Sequence, residues 1–391
     1  MTPPRKPVLI AGGGIAGLAL SLALARRGIG SHVIERRQSF SEAGAGIQIS
    51  PNGVRALETL GVRADLEQSA GRPYAIHVHG TNGAILQRLP LGKWIEARHG
   101  APYLVAHRRD LQAALLGAVR RQSAIEITTG FAATGFAITA DGVELNGPGG
   151  KALKGRALVG ADGLFSPIRA QLHPGVSPQF SGRTASRAIL TAEAVANHLD
   201  PSVTGVWLGP DTHIVHYPVR SGREIAVVVI RTETWAEHGW SAPVASLELS
   251  AALAPFAPRL RQALATADDW RRWALFEASA LPATNSGPVT LIGDAAHPIL
   301  PFLAQGGALA LEDAVTLAAL IETHADDAAA AFRAHDLMRR HRTTAIARAA
   351  RRNGRIYHLG GLSAHIRDAG LRLLPGERIM ASYDWIYGWR P

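Results

Sequence analysis

The chain of 391 residues contains no cysteine. That excludes disulfides, cysteine-based metal sites and thiol nucleophiles, and it leaves the compartment open. No run of eighteen apolar residues lacks a charge, so no membrane-spanning helix is expected. Met1 to Pro7 carries no apolar stretch with a cleavage site and leads straight into a strand, which fits a cytoplasmic protein. There is no internal repeat, no low-complexity linker and no zinc-type histidine cluster, so no metal is expected. Net charge is +10, but no DNA- or RNA-binding motif accompanies it. Much of the charge lies in Arg333, Arg339, Arg340, Arg342, Arg348, Arg351, Arg352 and Arg355, opposed locally only by Asp336. No aromatics are interleaved there. The expectation is a solvated helix face; attraction of an anionic small molecule is the rival reading, and nucleic acid is not an expected partner.

Apolar residues make up 47% of the chain, enough to bury a large core in two intimately joined domains. Val8 to Ala11 reads as a short buried strand. Gly12-Gly13-Gly14-Ile15-Ala16-Gly17 follows, then a helix that is apolar nearly all round, stopped by Arg26, Arg27 and Gly28. His32 to Glu35 reads as a second strand ending in an acid. Strand, glycine turn, helix, strand and acid in this register form a dinucleotide-binding unit. Gly12 permits the tight turn, Gly14 lets a pyrophosphate approach, Gly17 lets the helix pack, and Glu35 holds ribose hydroxyls. An acid at position 35 favours an adenosine without a 2′-phosphate, as in NAD or FAD.

Val289 to Ile292 is another buried run. It breaks at Gly293-Asp294-Ala295-Ala296-His297-Pro298, and a helical pattern begins at Gly306-Gly307. Asp294 at the strand end can accept from a sugar or ribityl hydroxyl. The free N–H groups of the helix suit an electron-rich partner. Gly160-Ala161-Asp162-Gly163 repeats the pattern of a carboxylate at a strand tip. Gly44 and Gly46, within Glu42 to Asn52, suggest close backbone approach to a flat ligand.

Asn82-Gly83 marks a hairpin within Tyr74 to Leu89. Arg108 and Arg109 open a helix, and either could meet a phosphate. Ile189 to Ile230 is β-rich, Ser246 to Ala265 reads as a helix, and Trp270 to Ser279 as a strand. In a regular strand His213, Val215 and Tyr217 share a face and His216 opposes them. Two polar rings there could also be mere hairpin surface.

GGGIAG with Glu35, GADG at 160–163 and GDAAHP at 293–298 together resemble the single-component, group A FAD-dependent aromatic hydroxylases. GDAAHPILPFLAQGGALALEDA (293–314), NGRIYHL (353–359) and the tail YDWIYGW resemble their salicylate hydroxylase, 3-hydroxybenzoate 6-hydroxylase and 6-hydroxynicotinate 3-monooxygenase branch. The resemblance implies an α/β fold: a Rossmann-like, glutathione-reductase-like FAD-binding domain (1–72, 101–175 and 282–354), an inserted β-sheet substrate domain (73–100 and 176–281), and a C-terminal helical segment (355–391). It implies FAD, transient NADH or NADPH, O2 and a small phenolic aromatic acid as partners. A flavin C4a-hydroperoxide would deliver one oxygen to the ring.

The same resemblance puts Gly12, Gly14 and Gly17 at the pyrophosphate, Glu35 at the ribose and Arg36 at the adenosine end. Arg108 lies near the pyrophosphate and ribityl chain, Asp162 between FAD and the visiting NAD(P)H, and Asp294 at the ribityl–pyrophosphate region. Gly306 and Gly307 meet the flavin pyrimidine edge, Pro301 the ring where oxygen reacts. His213 and Tyr217 face the substrate phenol, with His213 as base and Tyr217 relaying or orienting. Gln48 stands where some relatives carry a histidine. A non-acid ring, urate-like, quinone-precursor or polyketide, is the alternative substrate, and a homo-oligomer is left open.

Overall fold

The computed structural model describes residues 6–40, 46–237 and 239–391. Glu42 and Gly44 therefore lie outside the described residues. Short apolar runs form a mostly parallel sheet, covered on one face by helices and on the other largely by a three-stranded antiparallel sheet, Gly135–Thr139, Gly142–Asn146 and Ala152–Gly155. The order of the parallel sheet is Asn285–Ser286, Val289–Leu291, Ala157–Gly160, Val8–Ala11, Ser31–Glu35, Ile125–Thr129, with only the first pair antiparallel. Helix Ile15–Ala25 is buried almost throughout and packs against helix Gly306–Thr323. The tips of the three strands that carry the glycine motifs therefore converge.

The second large sheet has eight strands in the order Ser241–Pro243, Arg271–Glu277, Gln179–Thr191, Glu224–Thr232, Thr212–Val219, Thr204–Gly209, Ala75–His79, Ile85–Pro90. All neighbours are antiparallel except Thr204–Gly209 with Ala75–His79. One face packs on Leu249, Leu253, Leu260 and Leu264 of two covering helices and on Phe256 between them. The other meets Leu300, Phe302 and Leu309 of the parallel-sheet half. The last helices, Gly361–Leu373, Gly376–Ala381 and Asp384–Tyr387, lie along the outer hairpin and the neighbouring helices.

Three sequence expectations need correction. The β-rich region begins at Gln179, ten residues before Ile189, because the polar run Gln-Phe-Ser-Gly-Arg-Thr-Ala-Ser-Arg gains its ladder from tertiary neighbours on both sides. Ser246 to Ala265 is two helices, Ser246–Leu253 and Pro258–Leu264; Pro258, with no N–H to donate, starts the second. The arginine-rich helix Ala328–Tyr357 is not simply a solvated face. Arg339 is 4% exposed and bonds Asp313 and Glu312 at 2.7 Å, while Arg342 bonds Glu312 at 2.7 Å and the Ile386 carbonyl at 2.8 Å. Arg351 pairs with Glu277 at 2.6 Å. The opposing acids come from other elements, so local charge counting could not see them.

Candidate active site

The cofactor end is built mainly from backbone. Gly12 has φ +114°, and a side chain there would run into the Ala161 carbonyl. A Cβ on Gly17 would meet the Gly12 carbonyl, while one on Gly14 would meet nothing within 4 Å. Gly12 and Gly17 thus serve the packing of the chain, and Gly14 borders open space. Gly14 is also the N-cap of helix Ile15–Ala25 and Gln305 that of helix Gly306–Thr323, and neither end carries a side-chain cap. Both helix starts leave N–H groups without a side-chain acceptor, the arrangement that suits an anionic or electron-rich group.

Carboxylates surround these ends. Glu35 accepts from the Gly13 amide at 3.0 Å and the Arg37 amide at 2.9 Å, which fixes its side chain beside the turn. Asp294 is exposed in the turn Gly293–Ala295, whose glycine comes close to Ala16. Asp162 accepts from the Ile168 amide at 3.5 Å through Oδ2, but its buried Oδ1 has no hydrogen-bond partner among the described residues. Burial pushes the Asp162 carboxyl up to about 6. Arg108 begins helix Arg108–Arg120, and Gln112 one turn on donates to the Gly13 carbonyl at 3.3 Å. Arg36 is exposed just past Glu35. Open space at Gly14, two uncapped helix starts and an unsatisfied Asp162 oxygen fit a dinucleotide such as FAD.

Beneath the Gly293 turn lies a charged network. Asp313 accepts from Gly293 N at 3.0 Å, contacts His297 Nε2 at 2.5 Å and receives Arg339 Nε at 2.7 Å. Burial opposes charge on Asp313, but His297 and Arg339 hold its carboxyl well below the usual range. Burial also opposes a proton on His297; Asp313 outweighs it and raises that imidazole. Glu312 joins Arg342, Arg339 and Asn52, and Asn52 reaches the Gln305 side chain at 3.0 Å. The loop from Gly293 to Gly307 is thereby pinned at both ends.

That loop touches the eight-stranded sheet through the turn Pro301–Leu303. The Phe302 ring lies 5.5 Å from His213 and 5.2 Å from the Arg183 guanidinium. Just beyond it, Ala304 sits at φ +52°, a conformation uncommon for a non-glycine residue and often found at working sites. His213 and Tyr217 are buried on this face, and His216 lies on the opposite one against Trp207. The ladder from Thr212 to Val219 is unbroken, so no bend shortens the roughly 13 Å between positions 213 and 217. They stand at two ends of one row. His213 touches Tyr357 and His358; Tyr217 lies against Gly46, where any Cβ would fall 2.5 Å from its ring. The close backbone approach at Gly46 is to the Tyr217 ring.

Several members of this face escaped the sequence reading. Arg183 and Arg187 share it, because Arg183, Ala185 and Arg187 alternate on Gln179–Thr191 and Ala185 is in register with Ile230, itself opposite His213. Each has a buried Nε without a hydrogen-bond partner among the described residues. Arg187 stacks on Trp273 at 5.2 Å; burial lowers its pKa, while Tyr217 works the other way. His358 Nε2 stands 2.7 Å from His213 Nδ1. Gln48 accepts from the Tyr103 hydroxyl at 2.7 Å. The i, i+4 arginines on a polar strand were the available signal, and an unread strand hid it.

A dinucleotide cradle at parallel strand tips faces a sheet with paired cationic and imidazole side chains, and the protein is an FAD-dependent aromatic-ring monooxygenase. The model of the FAD binding domain family matches residues 5–352, and the chain belongs to that family, in its single-component aromatic hydroxylase branch. It is 34% identical over 388 residues to a 3-hydroxybenzoate 6-hydroxylase of Polaromonas naphthalenivorans, covering 99% of this chain and 97% of the relative. It is 36% identical to the 3-amino-4-hydroxybenzoate 2-monooxygenase PtmB3 of Streptomyces platensis, with 98% and 96% covered. Among solved structures, Klebsiella pneumoniae HpxO with FAD and uric acid superposes with a TM-score of 0.86 at 25% identity, covering 96% of this chain and 95% of the other. Among the described residues, no helix is long and apolar enough to cross a membrane.

Proposed function

We propose that this enzyme hydroxylates a phenolic aromatic acid of the hydroxybenzoate, salicylate or hydroxynicotinate type. The observation that carries the reading is one sheet face. It sets two arginines with unsatisfied Nε groups in one layer with His213 and Tyr217, against the Pro301–Leu303 turn. Guanidinium groups suit an aromatic carboxylate, and an imidazole suits the proton of a phenol. The names of the Polaromonas and Streptomyces relatives support the same substrate class.

Bound FAD would supply the redox and oxygen-activating chemistry. Gly12 and Gly17 would shape the turn at its pyrophosphate, which would approach at Gly14, Glu35 would hold its ribose, Arg36 would lie at its adenosine and Arg108 near the ribityl chain. Asp294 would meet its ribityl–pyrophosphate region, and Gly306 and Gly307 its pyrimidine edge through helix N–H groups. Asp162 would stand between FAD and NADH or NADPH, and Pro301 beside the reacting ring. His213 accepts the phenol proton. Burial, then His358 and Arg183, lower its pKa well below the ordinary value, so at neutral pH the ring is unprotonated and ready to accept. Tyr217 orients the ring from the other end of the row.

A second reading rests on HpxO, whose structure contains uric acid: a urate-like ring without a carboxylate. Screening phenolic acids and uric acid for stimulated NAD(P)H oxidation, with oxygen uptake and product mass, separates the two. Stimulation by uric acid alone would overturn the first reading.

A further inference from the structure

We propose that His213, His358 and Thr232 form a proton relay that carries the phenol proton from the enclosed sheet face to solvent. It rests on the hydroxylase reading above. His213 is 1% exposed, so a proton it accepts has no direct way out. Its Nδ1 lies 2.7 Å from His358 Nε2, and His358 Nδ1 lies 3.2 Å from Thr232 Oγ1. Thr232 is exposed at the end of its strand. The three side chains come from three elements: strand Thr212–Val219, the residue capping helix Ala328–Tyr357, and strand Glu224–Thr232. His358 is held in place independently, because its carbonyl accepts from the Asp211 amide at 3.3 Å.

The surroundings favour passing a proton over storing one. Arg183 faces both imidazoles, Tyr357 and the Phe302 ring close the His213 side, and no carboxylate among the described residues contacts either ring. An imidazolium at position 213 would sit enclosed beside a guanidinium, which is costly. Burial, then Arg183, lowers His358 to about 4, so the second ring does not hold the proton either. The balance is simple. His213 Nε2 takes the phenol proton as its Nδ1 proton passes to His358 Nε2. The Nδ1 proton of His358 passes to Thr232 Oγ1, and the hydroxyl releases its own to water. A phenolate remains, both rings have exchanged tautomers, and no electrons are transferred. Reprotonation of the product along the same path restores the starting tautomers.

The test uses the FAD-loaded, oxidised enzyme mixed with 3-hydroxybenzoate in weak buffer with a pH-indicator dye. Flavin absorbance reports binding and the dye reports proton release. Wild type is expected to bind and release a proton, with a curved dependence of release rate on solvent deuterium fraction, because several protons move together. His358→Gln keeps a hydrogen bond to His213 but cannot pass a proton on. It should bind normally and release roughly 10²-fold more slowly. In His358→Ala, added imidazole should restore the rate. Normal release in His358→Gln, a linear deuterium dependence in wild type, or binding without release would each overturn the relay while leaving the hydroxylase reading intact. No flavin change in wild type with 3-hydroxybenzoate, salicylate or 6-hydroxynicotinate would instead overturn the hydroxylase reading and the relay with it.

Discussion

The two large sheets present ligands with different kinds of surface. The parallel sheet offers strand tips and helix starts, so its site is largely main chain shaped by glycine. The antiparallel sheet offers a face, so its site is side chains from strands far apart in sequence. A backbone site tolerates no added atoms but needs few particular side chains. A side-chain site tolerates changes of shape but depends on each group's charge and proton. Substitutions on the two sheets should therefore fail in different ways.

The largest effects are expected at the glycine turn. Gly17→Val drives a side chain into the Gly12 carbonyl and should leave little folded protein, measured as soluble yield and circular dichroism. Gly14→Leu meets no protein atom and should fold normally, yet lose FAD at least roughly tenfold by absorbance of the purified protein. If both lose the fold alike, the distinction between packing glycine and cradle glycine is wrong.

On the antiparallel face, His213→Ala should keep FAD and its reduction by NAD(P)H, while hydroxylation falls roughly 10²–10⁴-fold. NAD(P)H oxidation should then yield hydrogen peroxide in place of product. A rise in pH should restore part of the rate, since more substrate arrives as phenolate. Weakened substrate affinity with full coupling and no pH rescue would mean that His213 only shapes the site.

The charged network between the two sheets belongs to stability more than to chemistry. Asp313→Asn leaves Arg339 and His297 short of a buried counter-charge and should cost about 3–5 kcal/mol in urea unfolding. Arg339→Glu should do comparable damage. Arg340→Glu, on a half-exposed side chain paired with Asp336, should change stability by about 1 kcal/mol or less.

Acidification sharpens the contrast in a smaller, graded way. Burial lowers His79, His335 and His358 to about 4 and His216 to about 3, against 6.5 in the unfolded chain. Between those values the unfolded state binds more protons. Stability therefore rises with pH across the window and is lost as pH falls from 6.5 toward 4. Each such histidine adds a slope of up to about 1.4 kcal/mol per pH unit. The raised His297 acts oppositely, lending stability at low pH that is lost as pH climbs through its folded value, and Asp313 adds a further loss only in stronger acid. A melting temperature that is flat from pH 7 to pH 5 would show that these rings are hydrated in solution.

By itself the sequence determined the dinucleotide unit. Gly12, Gly14, Gly17 and Glu35 sit within one strand–helix–strand stretch, so local spacing carries the whole geometry. The Asp162 and Asp294 turns were legible for the same reason: an apolar strand ending at glycine and an acid is a local pattern. His213 and Tyr217 on one face followed from strand alternation alone. Only the tertiary structure decided what surrounds them. Arg183 and Arg187 come from a strand too polar to read, and His358 arrives from 145 residues away at the end of a long helix. The acids that bury Arg339 lie on a different helix. Pattern in a chain reports neighbours along the backbone. Charge pairing, proton paths and side-chain sites depend on neighbours in space, and those exist only once the sheets have packed.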